Sequence, residues 1–120
     1  MKFNHNALVV VSDSLTPGLP AAQALKALET AVIERGFNVQ LAANPKAGLT
    51  YIQQSPHYSF IALLWDTRNP AIVSESQQLI QQIRERNDTV PIFLLSEEET
   101  VNGIPVSILR EINEYVYLYS

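Results

Sequence analysis

The stretch Leu63-Leu64-Trp65-Asp66 ends an apolar run in a carboxylate, and Pro70 follows four residues later. A carboxylate at the end of a buried strand can accept a phosphoryl group, ligate a hard cation, or simply close the strand by bonding to nearby N–H groups. Other groups capable of chemistry stand at equivalent places after other apolar runs. Ser12, Asp13 and Ser14 follow the first; Thr67 and Arg68 adjoin Asp66; Ser96 and Glu97 follow the fourth; Tyr119 and Ser120 close the last. Asp13 and Asp66 could together bind magnesium, with Asp66 as acceptor. The alternative is a polar strand terminus, with Asp66 bonded to local backbone.

The remaining candidates carry less. His5 precedes the first apolar run and His57 lies in a Ser-Pro-His-Tyr turn, so neither suggests a metal cluster or a catalytic triad, and both read as solvated loop residues. Gly18, Gly36, Gly48 and Gly103 form neither a dinucleotide fingerprint nor a phosphate-binding loop, which also disfavours a small flavin-binding electron carrier. Glu97, Glu98 and Glu99 read as the solvated start of a turn, and Trp65 as core or interface. With no cysteine in the chain, disulfides, thiolate zinc sites and cysteine nucleophiles are excluded.

These residues need elements to position them. Five apolar runs read as buried strands: 7–11, 38–42, 60–65, 91–95 and 115–119. Four segments with helical spacing lie between them. The first starts at Leu19-Pro20, carries Ala21, Leu25, Leu28 and Val32 on one face, and ends at Gly36 as a left-handed cap. The second follows Asn44-Pro45, turns Leu49 and Ile52 inward, and stops at Ser55-Pro56. The third spans 70–87, with Val73, Leu79, Ile80 and Ile83 as its apolar stripe and Arg84, Glu85 and Arg86 on the wet side. The fourth spans 105–113, with Ile108, Leu109 and Ile112 buried.

Strict alternation of strand and helix with short connections implies a parallel sheet covered on both faces, since each parallel crossover returns through a helix. For five strands the expected solution is α/β and flavodoxin-like, in the doubly wound order 2-1-3-4-5. A sheet of this kind normally ends with a fifth helix, which the sequence after Tyr115–Tyr119 does not supply. The expectation is that the chain is a piece of a longer polypeptide or that a partner supplies the cover; the alternative is a natural four-helix variant with a wet tyrosine face.

Length and composition agree with a single domain. The chain has 120 residues, 47% hydrophobic and 17% charged, which favours a folded globule over disorder. No apolar stretch is long enough for a membrane span, and the opening apolar run is too short for a secretory signal, so a cytoplasmic protein is expected. A net charge of −4, with arginines scattered apart from Arg84 and Arg86, gives nucleic acid binding little support.

Asp66 with Pro70, Asp13 and Ser96 together resemble the site of response-regulator receiver domains, whose fold is CheY-like. In that family an acidic pair follows the first strand, a phosphoacceptor aspartate ends the third with a proline four residues on, a serine or threonine ends the fourth, and a lysine sits in the fifth. Here Ser12 and Asp13 stand in place of the acidic pair, and the lysine place falls near Leu118. Lys2, Lys26 and Lys46 are the only lysines. A phosphoryl group arriving at Asp66 is therefore expected to lack a neutralising cation. A receiver or pseudo-receiver remains the alternative reading.

The segment from Gln77 to Tyr119 is similar to a second family, the amino-terminal wing domain of bacterial pyridoxal-phosphate-dependent ornithine, lysine and arginine decarboxylases. Ile83-Arg84-Glu85-Arg86 ends a helix, Val90-Pro91-Ile92-Phe93-Leu94 opens a strand, and an acidic loop and short helix lead to an aromatic strand. The resemblance extends over nearly all of residues 1–120, taken as one wing domain. It implies a non-catalytic oligomerisation domain, with the cofactor lysine in a separate catalytic domain of the parent chain. On that reading these residues hold no catalytic, cofactor-binding or metal site, and pyridoxal phosphate belongs to the parent enzyme. The implied partners are the parent's catalytic domain and other copies of the subunit, with no nucleic acid and no membrane. The family's wing domain joins dimers into larger rings, favoured at acidic pH. A modest carboxylate excess is compatible with that, since protonation lowers repulsion between acidic surfaces.

Overall fold

A computed structural model describes residues 5–13, 15–54 and 57–119. Five strands form one parallel sheet, β1 (Asn6–Val10), β2 (Asn38–Ala42), β3 (Phe60–Leu64), β4 (Ile92–Ser96) and β5 (Glu114–Tyr117), in the order β2-β1-β3-β4-β5. This is the expected flavodoxin-like order. Helices α1 (Pro20–Glu34), α2 (Pro45–Gln54), α3 (Pro70–Arg86) and α4 (Val106–Leu109) alternate with the strands.

The apolar strands alternate their side chains between two cores, as period-two geometry requires. Leu8, Val10, Ile61, Leu63, Trp65, Ile92 and Leu94 face the larger one, where Ile52, Leu79, Ile80, Ile83 and Ile108 of α2, α3 and α4 meet them. Val9, Ala62, Leu64 and Leu95 face the smaller one, where α1 contributes Leu25 with Leu28 packed alongside. Trp65 is therefore core. α2 lies so close to β1 that a Cβ on Gly48 would sit 3.0 Å from a Val10 methyl and 3.1 Å from Leu79, so no larger residue fits without displacement.

Helix ends follow the sequence signals. Pro20 stands in the first turn of α1, and Gly36 beyond its end takes φ 93°, where a Cβ would be strained. Asn44 accepts from the Ala47 N–H at 2.8 Å at the start of α2, and Asn69 accepts from the Ala71 N–H at 3.0 Å at the start of α3. Each cap of this type contributes about 1 kcal/mol. Pro70 occupies the first turn of α3, a helix-starting place where a missing N–H costs nothing. The expected stop of α2 at Ser55-Pro56 lies outside the described residues.

Several expectations need correction: β1 is Asn6–Val10 and not 7–11, β3 stops at Leu64, and β5 is Glu114–Tyr117 and not 115–119. β4 begins at Ile92 because Pro91 has no N–H to give the ladder, although its carbonyl still accepts from Ile61. The fourth helix is one turn, not the span 105–113. Beyond Leu109 the Asn113 N–H donates to the Ile92 carbonyl at 2.9 Å and not to a carbonyl four residues back, which turns the chain into β5 before a helix can continue. Arg84 is not on the wet side of α3 either, its side chain being only 13% exposed. The expected stripe of Leu79, Ile80 and Ile83 is buried, with Val73 packed alongside, and Ile72 and Ser76 join it.

Candidate functional site

The carboxyl ends of β1, β3 and β4 bring Ser12, Asp66 and Ser96 to one rim, all three buried. Asp66 follows β3 directly, and the chain then turns so that Arg68 folds back over it. The Arg68 N–H and its guanidinium both donate to Asp66 Oδ1, each at 3.0 Å. The other guanidinium nitrogen pairs with Glu97, and the second Glu97 oxygen accepts from the Tyr119 hydroxyl at 2.7 Å. An unbroken line of polar contacts thus runs from the third strand through the β4 loop to the end of the fifth.

The electrostatics follow from these contacts. Burial pushes the Asp66 carboxyl upward, but hydrogen bonds from Ser12, the Arg68 N–H and the Arg68 guanidinium, with the cation's charge, outweigh it and hold the group below the usual carboxylate value. Burial opposes the charge on Arg68, yet its bonds to Asp66 and Glu97 raise it above the usual arginine value. The Tyr119 hydroxyl is raised first by its bond to Glu97. Both Arg68 donors fall on Asp66 Oδ1, while Oδ2 is buried.

The expected absence of a cation at Asp66 is thereby corrected: Arg68 supplies one, from the adjacent loop instead of the fifth strand. Its fork is divided between two carboxylates, Asp66 and Glu97, which leaves little positive charge for an incoming phosphoryl group. The other receiver-like positions are engaged elsewhere. Asp13 is exposed and accepts from the Asn44 side-chain amide at 2.8 Å, which draws it toward the start of α2. The Ser96 hydroxyl accepts from the Glu98 N–H at 3.0 Å, closing the turn after β4. Among the described residues no group of three or more His, Asp or Glu side chains is placed to hold a metal ion.

Glu97 proves to be a rim residue, while Glu98 and Glu99 lie exposed as the turn reading expects. Its role was legible only as one acid following the fourth strand. His5 is exposed but sets its ring edge-on to Phe37, with centroids 5.6 Å apart, so it is not simply solvated. His57 is exposed. Ser14, Ser120 and Lys2 lie outside the described residues. No described helix is long and apolar enough to cross a membrane.

Solved structures define the class of this fold as receiver-like. The response regulator TrrA from Thermotoga maritima aligns with a TM-score of 0.69 and 19% identity, covering 94% of this chain and 85% of that one. A CheY-like receiver domain from Methanospirillum hungatei aligns at 0.69 with 15% identity, covering 98% and 84%. Lysine decarboxylase A from Pseudomonas aeruginosa gives 0.84 with 18% identity, covering 99% of this chain. The chain spans 16% of that decarboxylase's length. At these identities the likenesses show the fold alone. The family profile of the Orn/Lys/Arg decarboxylase N-terminal domain matches residues 20–120, and the chain belongs to that family. No curated protein matches the sequence.

Proposed function

We propose that this chain is the non-catalytic, cytoplasmic amino-terminal domain of a pyridoxal-phosphate-dependent decarboxylase of ornithine, lysine or arginine, and that it serves assembly of the enzyme. Family membership supports the parent enzyme. The observation that carries the non-catalytic reading is the Asp66–Arg68–Glu97 cluster, in which the receiver-like acceptor is already bonded to an internal cation.

Pyridoxal phosphate supplies the electron sink for decarboxylation in such an enzyme, and a lysine holds it. Among the described residues neither lysine fits that group. Lys26 on α1 and Lys46 on α2 are exposed, and neither stands beside a glycine-rich turn that could cradle a phosphate. The cofactor is assigned to a separate catalytic domain. The domain's partners are then that catalytic domain and other copies of the subunit.

The reading frame beyond residue 120 tests the proposal first: a stop codon directly after Ser120 would sink it. In the parent enzyme, removal of residues 1–120 should leave the cofactor's absorbance intact while light scattering reports a smaller assembly. An unchanged assembly size would remove the oligomerisation role. The receiver alternative draws on the placement of Asp66 at the end of β3. Acetyl phosphate with magnesium should leave the intact mass unchanged; a phosphoryl adduct on Asp66 would favour signalling.

A further inference from the structure

The sheet face that carries the larger core changes character at one corner. Side chains alternate along a strand, so Asn6 points to the same side as Leu8 and Val10 of β1, and Asn38 and Gln40 to the same side as Ala42 of β2. At the amino ends of β1 and β2 a face that is apolar elsewhere therefore carries side-chain amides. Tyr51 and Gln54 of α2, with Tyr58 on the approach to β3, stand around these amides and complete a hollow of about 320 Å³. It lies at the opposite end of the strands from the Asp66 rim.

The frame of this hollow is fixed. Asn6 and Asn38 are register partners, the Asn38 N–H donates to the His5 carbonyl at 2.8 Å, and the Ser59 N–H donates to the Asn6 carbonyl at 2.7 Å. The Tyr51 and Tyr58 rings pack against the larger core. Burial, and then the nearness of Tyr51, raises the Tyr58 hydroxyl above the usual tyrosine value, so it remains a neutral donor at physiological pH. The polar groups are nonetheless unspent. Among the described residues the amides of Asn6, Asn38 and Gln54 and the hydroxyls of Tyr51 and Tyr58 bond to no other protein group, and the Gln40 amide makes one long bond, 3.4 Å to the Leu41 carbonyl. A ligand would meet these donors and acceptors without breaking internal bonds.

Their chemistry selects the ligand. None of the residues lining the hollow is charged, so a phosphate, carboxylate or ammonium would give up its water for neutral groups alone. An amide sets a donor beside an acceptor, which matches hydroxyls that both give and take hydrogen bonds. Tyrosine adds an apolar ring face next to a polar tip, suited to the C–H surface of a sugar ring. The volume stands at the lower end of the range of about 300–1,000 Å³ for small-molecule pockets. We propose that this corner binds a neutral polyhydroxylated ligand, a sugar or cyclic polyol of one or two rings, held between the amides of Asn6, Asn38, Gln40 and Gln54 and the phenols of Tyr51 and Tyr58. The site is built from residues of this domain alone and stands apart from the decarboxylase reading.

Titration of the isotope-labelled 120-residue chain with D-glucose, maltose and myo-inositol, followed by NMR, tests the site. With at least one of these probes the side-chain amide signals of Asn6, Asn38, Gln40 and Gln54 should move together and saturate, with a dissociation constant on the order of 1 mM. Gln54→Ala, at an exposed position of α2, and Tyr58→Phe, which keeps its ring, should each weaken binding about fivefold, the equivalent of one hydrogen bond. Gln78→Ala, exposed on α3, should leave it unchanged. D-Glucuronate, which adds a carboxylate to the glucose ring, and uridine, which replaces most hydroxyls by a base, should both bind more weakly than the best neutral probe. The inference is overturned if no neutral probe gives saturable shifts, if neither Gln54→Ala nor Tyr58→Phe weakens binding, or if glucuronate or uridine binds more tightly than every neutral probe.

Discussion

Two arginines at opposite ends of the sheet do different work. Arg68, at the carboxyl rim, divides its fork between the carboxylates of Asp66 and Glu97, with its side chain 34% exposed. Arg84, near the amino ends of β4 and β5, donates to the carbonyls of Glu111 and Val90, each at 2.8 Å, and to Asn113 Oδ1 at 2.9 Å. Its bonds go chiefly to neutral acceptors, and burial lowers its pKa despite the nearby charges of Glu111 and Asp88. One arginine neutralises a site, and the other pins four segments of chain together: the end of α3, the approach to β4, the end of α4 and the approach to β5. A guanidinium is suited to both because its five donors lie in a fixed plane.

The largest expected effect falls on the clip. Arg84→Ala should cost about 3 kcal/mol in urea unfolding, because it removes at once the bonds to the Glu111 and Val90 carbonyls and to the Asn113 amide oxygen. Arg84→Lys should recover little of that, since one ammonium cannot reach all the acceptors. A loss below about 1 kcal/mol would erase the distinction between the two arginines.

Arg68→Ala should cost less, about 1–2 kcal/mol at neutral pH, because solvent already screens part of its pairing and Ser12 and backbone still serve Asp66. It should also raise the Asp66 carboxyl pKa, which carboxyl-carbon NMR would follow. If the pKa stays low in this variant, the guanidinium is not what holds it down.

The pH dependence separates the two ends further. Asp66 titrates below its ordinary value of 3.8 in the folded chain, so its stabilising contribution is complete above that value and disappears as pH falls through the lower folded value. Stability curves in urea should therefore steepen below about pH 4, and Asp66→Asn should flatten that part of the curve. Retention of the full acid slope in Asp66→Asn would assign it to other carboxylates. Smallest of all, Tyr119→Phe should change stability by a few tenths of a kcal/mol, since the bond to Glu97 is exposed.

The fold was largely legible because its signals are local. The apolar runs at Ala7–Val11 and Phe60–Trp65, the prolines at 20, 45 and 70, and Gly36 each act within a few residues of themselves. Pro70, which resembles a receiver landmark when counted from Asp66, is accounted for by the start of α3. The site was legible in part. Asp66 could be placed at a strand end, and Thr67 and Arg68 beside it, but nothing in their spacing says that Arg68 turns back on the carboxylate instead of pointing into solvent. Glu97 is 29 residues from Arg68 in the chain, and its pairing depends on β3 and β4 being neighbours. The wet-side reading of Arg84 failed for a similar reason. Its place on α3 follows helical period, whereas its burial follows from loops that arrive more than twenty residues later.

The sequence by itself determined the alternation of strand and helix, the parallel sheet and the family, because each depends on periodicity, end signals or a contiguous motif. Only the tertiary structure decided that the rim carries its own counter-cation and that Arg84 is a largely buried clip. These depend on distances between residues far apart in the chain, and a one-dimensional pattern carries no distance beyond the reach of a single turn or strand.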